Sequence, residues 1–312
     1  MGVRLQIGDA TITTVVEQKL HGLNDLIPLA TPDAVQDINW LTPASASDSG
    51  DLHGVIQATV IEIGGAVVVV DTCIGNGKQI PLDDNWHELD TDFLDRFHAA
   101  GFVESDVDYV ICTHMHLDHV GWNTHLRDGA WIPTFPNATH LFCRAEFDHW
   151  TDVAATPLPD PVDELDQRRQ LSPRTQAHVH RESILPVVVA GLAQFVDAPF
   201  EPTVGIRIVG TPGHTPGHVS IVVESAGEQV VITGDAFHHP CQIARPEWST
   251  RADTDRDAST ATRRRLLDKL VGTDTLLFGS HFVPPGVGRI VRDGDSFRFD
   301  SVPTASSESI VS

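Results

Sequence analysis

The sequence predicts one layered α/β domain, and three observations carry that prediction. Short apolar or alternating runs of strand length recur along the 312-residue chain, bounded by turn residues. Longer stretches with helical spacing lie between them. No linker or internal repeat divides the chain, which is long enough to bury a sizeable core.

The elements follow in order. Val3–Ile7 and Thr11–Val16 alternate around Gly8-Asp9 and read as an opening β-hairpin. Residues 21–53, rich in Pro, Ser, Asp and Ala, read as a long loop or lid. Val55–Ile63 and Ala66–Val70 form a second hairpin on Gly64-Gly65, ending at Asp71. Leu89–Ala100 places Leu89, Phe93, Leu94 and Phe97 on one helical stripe, with Gly101 as its C-cap. Val107–Thr113 is a short buried strand. The polar stretch 144–180, broken by Pro157, Pro159 and Pro161, holds short helices and loops. Ile184–Val196 reads as a helix behind a Ser183 cap, with Pro186 tolerated in its first turn. Strands follow at Val204–Val209, Val219–Val223, Gln229–Thr233 and Thr275–Gly279, with a helix near Ala261–Leu270. The domain spans 1–300, and residues 301–312 read as a flexible tail.

Composition narrows the function. Hydrophobic residues make up 41% and charged residues 21%, a globular balance and not a disordered one. Lys+Arg 21 against Asp+Glu 43 gives a net charge of −22, which repels phosphate backbones and anionic membrane surfaces. The expected partner is therefore a small-molecule substrate, with no nucleic acid and no membrane; a homodimer stays open. No apolar run is long enough to span a bilayer, and the start MGVRLQIGDA lacks an apolar signal core, so the expected location is cytoplasmic. Cys73, Cys112, Cys143 and Cys241 stand far apart without a CxxC pair, which favours buried thiols over disulfides or a thiolate zinc site. Seventeen histidines is about twice the usual number, and histidine is the commonest metal ligand.

The central signal is Thr113-His114-Met115-His116-Leu117-Asp118-His119, four ligand-type side chains within six residues after a predicted strand. Chance produces HxHxDH in on the order of one in two hundred chains of this composition. The bland alternative is a histidine-rich helix cap without metal. Against it stand His214 in GTPGHTPGH, Asp235 in ITGDAF and His281 in FGSHF, each just beyond a predicted strand. A lone His or Asp at such a place is structural more often than not. Four clusters at successive strand ends, where open α/β sheets gather their sites, outweigh that reading.

With these motifs in this order, the chain resembles the metallo-β-lactamase fold superfamily over roughly residues 1–300. The run FHHPCQIARPEW after Asp235 and the long N-terminal segment are similar to the methyl parathion hydrolase and quorum-quenching N-acyl homoserine lactonase group. The resemblance implies a four-layer αβ/βα sandwich, mixed β-sheets flanked by helices. It implies two Zn²⁺ per chain: His114, His116 and His214 on one, Asp118, His119 and His281 on the other, and Asp235 bridging. His and Asp ligands without Cys suit Zn²⁺ and also accept Mn²⁺, Co²⁺ or Fe²⁺. The implied reaction is cleavage of a small ester or lactone by a metal-bridging hydroxide, with Asp118 also orienting the nucleophile.

Other residues divide between roles. His218 reads as structural. His238 and His239 are catalytic candidates; they read as partners of the ligands or surface residues, ahead of a role as proton donors. Trp122, Phe237, Trp248 and Phe282 adjoin the motifs but read as core more than pocket wall. The homoserine-lactonase pattern includes a tyrosine near the site, whereas the only tyrosine here, Tyr109, lies inside the strand before HxHxDH. That departure tilts the substrate towards aryl, enol or otherwise activated esters. The alternatives are a hydrolytic dehalogenase or phosphotriesterase of activated aryl substrates, a glyoxalase-II-like thioesterase or persulfide dioxygenase, and a non-catalytic zinc-binding protein.

Overall fold

A computed structural model describes residues 2–303, 305 and 306. The chain groups into two compact units, one formed by Met1–Gly65 with Ala198–Ser312 and the other by Ala66–Asp197, where the sequence reading expects a single domain over 1–300. Each is taken in chain order.

The first unit opens with β1 (Val3–Ile7) and β2 (Ala10–His21), the predicted hairpin, with Gly8 at φ +55° in its turn. β2 runs past Val16 because its register against β3 (His53–Ile63) steps between Val16 and Gln18. The bulge absorbs Glu17, after which pairing continues to His21 opposite His53. The 21–53 segment is not an open loop. Ile27, Ala30, Val35, Ile38, Leu41, Ala46 and Leu52 are buried with Cys241, Ala244 and Trp248. Its short helix α1 (Pro32–Gln36) is capped by Thr31, whose hydroxyl accepts the Ala34 N–H. Asn24 ties the segment's ends together, donating to the Ala30 and Gly50 carbonyls and accepting from the Leu52 N–H.

The second unit holds β4 (Ala66–Val70), α2 (Phe93–Ala99), β5 (Tyr109–Ile111), α3 (Leu117–Val120), β6 (Thr124–Arg127), β7 (Ala130–Pro133), β8 (Thr139–Cys143), α4 (Arg144–Ala155), α5 (Glu164–Arg169), α6 (Leu171–Val179), α7 (Leu185–Val189) and β9 (Ala193–Val196). β4, β5, β8 and β9 pair side by side in that order, all parallel. The predicted helix 184–196 ends early. Gly191, at φ +74°, turns the chain, and Ala193–Val196 pair with His140–Cys143 as a sheet strand, so ladder hydrogen bonds prevail over helical spacing. The β6–β7 hairpin turns on Asp128-Gly129, both at positive φ, an Asp-Gly signal the sequence reading passed over.

The first unit resumes with β10 (Phe200–Thr203), β11 (Ile206–Gly210), β12 (Val219–Ser225), β13 (Glu228–Ile232), α8 (Cys241–Ala244), α9 (Arg256–Leu270), β14 (Leu276–Phe278), β15 (Val287–Asp293) and β16 (Ser296–Ser301), closed by β17 (Ala305–Ser306). β10 to β16 make a seven-stranded sheet in sequence order, antiparallel except for the parallel β13–β14 pair. α9 supplies the crossover those parallel strands need. Asp255 caps it by accepting the Ala258 N–H, and its Leu266, Leu267 and Leu270 join a buried cluster with Leu277, Ile290 and Phe297. Two antiparallel steps separate β11 from β13, so β11, β13 and β14 all run the same way and end on one edge. Of the expected tail 301–312, Ser301 closes β16 and Ala305–Ser306 pair with Arg4 and Val3, while 304 and 307–312 lie outside the described residues.

The chain is mixed α/β, as predicted, and among the described residues the four cysteines form no disulfide. Among the described residues no helix is long and apolar enough to cross a membrane. Packing of the 21–53 segment has a direct test. Leu41→Ala should cost about 2–5 kcal/mol of unfolding free energy in urea titration, the range for a buried leucine. A loss near zero would mean that the segment is not part of the folded core.

Candidate functional site

In the second unit the site begins with two parallel neighbours. β4 ends at Val70 and β5 at Ile111, so Asp71 and the HxHxDH segment emerge side by side. Asp71 sits at φ +55°, a conformation disfavoured for a residue with a side chain, and both oxygens of its carboxylate are bonded. It accepts the Thr113 N–H at 2.8 Å, the Thr113 hydroxyl at 2.9 Å and His119 Nδ1–H at 2.9 Å. Thr113 Oγ1 in turn lies 3.1 Å from His114 Nδ1. Because that hydroxyl donates to Asp71, it accepts from His114. Both rings are therefore set as Nδ1–H tautomers that present Nε2 as a lone pair. His114 Nε2 and His116 Nδ1 converge to 3.0 Å, and Asp118, half-buried, stands 3.7 Å from His119 Nε2. The loop between them is clamped by its main chain. The Met115 N–H donates to buried Glu146, which also accepts Trp150 Nε1–H, and Gln176 donates to the Met115 carbonyl. The Trp150 ring meets His116 edge-on at 5.3 Å.

In the first unit the common direction of β11, β13 and β14 brings the segments after them to one edge, and His214, Asp235 and His281 meet there. Asp235 Oδ2 lies 3.4 Å from His214 Nε2 and 3.0 Å from His238 Nε2; Oδ1 lies 3.1 Å from His281 Nε2. All four residues are at most 5% exposed. Two of the rings are anchored from behind: His214 Nδ1 bonds Asp253 at 2.9 Å, and His281 Nδ1 bonds the Val55 carbonyl at 2.8 Å. The Val55 N–H donates back to the His281 carbonyl, locking that turn to β3. Asp235 is held by its main chain, since its N–H donates to His218 Nε2 while His218 Nδ1 bonds Thr211. His218 thus has the structural place expected of it.

This donor set fits a metal ion. With Nδ1–H committed behind, His214 and His281 turn lone pairs towards a carboxylate that is itself an acceptor. Two acceptors facing each other in a buried place repel unless a cation lies between them. Separations of 3.1–3.4 Å match the edges of a tetrahedron about 2 Å from a zinc ion. His238 differs, because its Nδ1 makes no hydrogen bond among the described residues and nothing anchors it as a ligand. Its Nε2–H donates to Asp235.

His239, the other catalytic candidate, is fully occupied. Its Nε2 donates to the Ser45 carbonyl at 2.8 Å, its Nδ1 accepts the Cys241 N–H at 3.0 Å, and it is fully buried. Neither nitrogen remains to protonate a leaving group, so His239 is a staple for the 21–53 segment. Trp122, Phe237, Trp248 and Phe282 are buried, as core residues are. Burial alone would push the Asp253 carboxyl up, but the His214 hydrogen bond and neighbouring charges, Arg263 among them, hold it below the usual carboxylate range. Sequence reasoning missed Asp71, Glu146, Gln176, Asp253 and Arg263. Only Asp71 left a trace, as a polar residue stopping the apolar run VVVV.

Comparisons with known proteins point to one family. The profile of the Metallo-beta-lactamase superfamily matches residues 53–281. The N-acyl homoserine lactonase AttM of Rhizobium radiobacter is 29% identical over 223 residues, covering 68% of this chain and 71% of the relative. Two solved structures share the fold over 98% of both chains: AidC, a dizinc quorum-quenching lactonase, at TM-score 0.75 and 20% identity, and the hydrolase AbOPH, at TM-score 0.78 and 22% identity.

The staple role of His239 carries a pH signature. Burial pushes its pKa down to about 4, helped by His53 and opposed by the Ser45 hydrogen bond. A histidine in the unfolded chain takes its proton near 6.5, so the stability this ring contributes is complete above that pH and falls as pH drops towards 4. Its ring resonances, followed by NMR from pH 8 to 5, should remain those of the neutral form. A midpoint near 6.5 would show a solvated ring instead.

Proposed function

The chain belongs to the metallo-beta-lactamase superfamily and is a metal-dependent hydrolase, and from that premise we propose that it opens a lactone or small ester using two zinc ions. The observation that carries this reading is the buried Asp235 carboxylate ringed by histidine Nε2 atoms, two of them turned inward by acceptors bonded at Nδ1. The proposed zinc ligands are His114, His116, Asp118, His119, His214, Asp235 and His281. When bound, zinc supplies a water of pKa about 7 and polarises the scissile carbonyl. Everything else falls to the protein. Asp71 fixes which nitrogens His114 and His119 present, directly and through Thr113. Asp118, partly open to solvent and 3.7 Å from His119 Nε2, would orient water. His238 holds a proton at Nε2 against Asp235 and so keeps that carboxylate aimed.

Lactone is the favoured substrate because relatives and structural neighbours are named as N-acyl homoserine or quorum-quenching lactonases. One observation favours a second reading. Tyr109 opens β5, at the end of the strand away from His114, roughly 15 Å along the chain. With no other tyrosine, and with both nitrogens of His239 bonded, the leaving oxygen takes its proton from His238 or water or needs none, and the last case suits aryl or enol esters.

Elemental analysis of protein purified without chelators should find about two zinc per chain. Assayed on γ-lactones, aryl esters, a phosphotriester and a thioester, it should hydrolyse lactones or activated esters, and Asp235→Ala should abolish that activity while the chain stays folded. One iron per chain with oxygen uptake would overturn the zinc-lactonase reading in favour of a persulfide dioxygenase.

A further inference from the structure

Helix α9 carries three consecutive arginines, Arg263, Arg264 and Arg265. Arg264 and Arg265 are exposed. Arg263 is fully buried and heads the chain's largest buried side chains. A guanidinium is almost never buried without dedicated partners, and here they are all in the first unit. Nε donates to the Pro246 carbonyl at 2.6 Å, Nη1 to Ser259 Oγ at 2.7 Å and the Ala236 carbonyl at 3.5 Å, and Nη2 to Ser249 Oγ at 3.1 Å and Thr260 Oγ1 at 3.4 Å. Nη1 also stands 3.6 Å from Asp253 Oδ2. The Asp253 side chain is itself fully buried. Its Oδ1 meets His214 Nδ1 at 2.9 Å, and its Oδ2 accepts the Thr250 N–H at 3.0 Å.

Two of these contacts lead straight to Asp235 and His214. The Ala236 carbonyl belongs to the residue after Asp235, and Asp253 bonds His214. We propose that Arg263 and Asp253 form a positioning pair that fixes the Nδ1–H tautomer of His214 and the main chain beside Asp235, so that both present their metal-facing atoms before a metal arrives. The proposal rests on the metal-hydrolase reading for its purpose, but not for its geometry. Arg263 lies too deep to touch a substrate, and Asp253 reaches the site only through His214. A carboxylate is required because two donors face it, His214 Nδ1–H and the Thr250 N–H. An asparagine can accept only one of them. With Thr250 fixed in the main chain, its NH₂ would turn towards His214 and push the ring proton to Nε2, the atom that should face the metal.

Asp253→Asn is therefore the decisive variant, with Arg263→Lys and Arg263→Met beside it. Nitrogen-15 NMR of the metal-free full-length protein reads the His214 tautomer, and chelator competition reads Zn²⁺ affinity. The wild type should show Nδ1–H at His214. Asp253→Asn should switch to Nε2–H and weaken Zn²⁺ binding by about 10–100-fold. Arg263→Lys, keeping the charge, should recover part of the affinity that Arg263→Met loses. An unchanged tautomer with Zn²⁺ affinity within about twofold of wild type in Asp253→Asn would overturn the proposal, leaving both residues a packing role only. A folded Arg263→Met with native tautomer and affinity would remove Arg263 from the pair. Should the wild type bind no zinc, the metal reading fails, while the tautomer comparison still decides the positioning pair.

Discussion

A buried carboxylate facing two histidine lone pairs is the constraint on which the 198–312 half of the first unit depends. Asp235 is buried away from water, and the His214 and His281 rings are held facing it because their other nitrogens are already bonded. Holding acceptors against acceptors costs free energy that the surrounding structure must supply. The parallel β13–β14 pair and the α9 crossover deliver Asp235 and His281 to the same edge. β3 accepts from His281 through the Val55 carbonyl, and His218 pins the Asp235 peptide from below. Elements far apart in sequence share one task, which is to keep a small group of atoms from relaxing.

The second unit reaches the same end with different parts. Asp71 stands at a strand end in a strained conformation and serves three donors at once. That strain is tolerated because both oxygens of the carboxylate are bonded, so rotation would abandon three hydrogen bonds to relieve one dihedral. Glu146 and Gln176 do for Met115 what His218 does for Asp235: they hold the peptide so that neighbouring side chains need not search. In both units the residues that orient the expected ligands are at least as numerous as those ligands.

This division explains what was legible in the sequence. His114, His116, Asp118 and His119 announce themselves by spacing, and His214, Asp235 and His281 by falling just past apolar runs, because the proposed metal ligation would demand particular side chains at strand ends. Asp253 and Arg263 give no such sign. They sit in polar stretches, STRADTD and TRRRLL, where acid and base are usually solvated, and only the tertiary fold turns one arginine of three inward. The same blindness affects elements. Strands β1, β3, β4 and β13 are legible by alternation or by β-branched runs, whereas β9 borrowed helical spacing until Gly191 and its neighbour β8 decided otherwise. The buried core of the 21–53 segment was hidden for a related reason, as its apolar residues are spread singly among Pro, Ser and Asp with no period to reveal them.

The interior charge balance adds a last step. Among the described residues, the buried acids are Glu17, Asp71, Glu146, Glu182, Asp235 and Asp253, and the buried Lys and Arg are Lys78 and Arg263 alone. Burial holds the Lys78 ammonium well below its usual range against the pull of Glu182, and its contacts are with Thr124, the Glu182 carbonyl and the Trp131 ring, so it offers no charge to the histidine clusters. Arg263 answers Asp253. Around Asp235 stand three histidines, two turned to present lone pairs and the third, His238, donating from Nε2. An interior assembled this way is short of positive charge at the place where its acceptors converge. Binding a divalent cation there would relieve the repulsion and stabilise the fold in the same act. Selection for the metal and selection for the folded chain would then act on the same residues, which accounts for the many main-chain anchors behind so few ligand atoms.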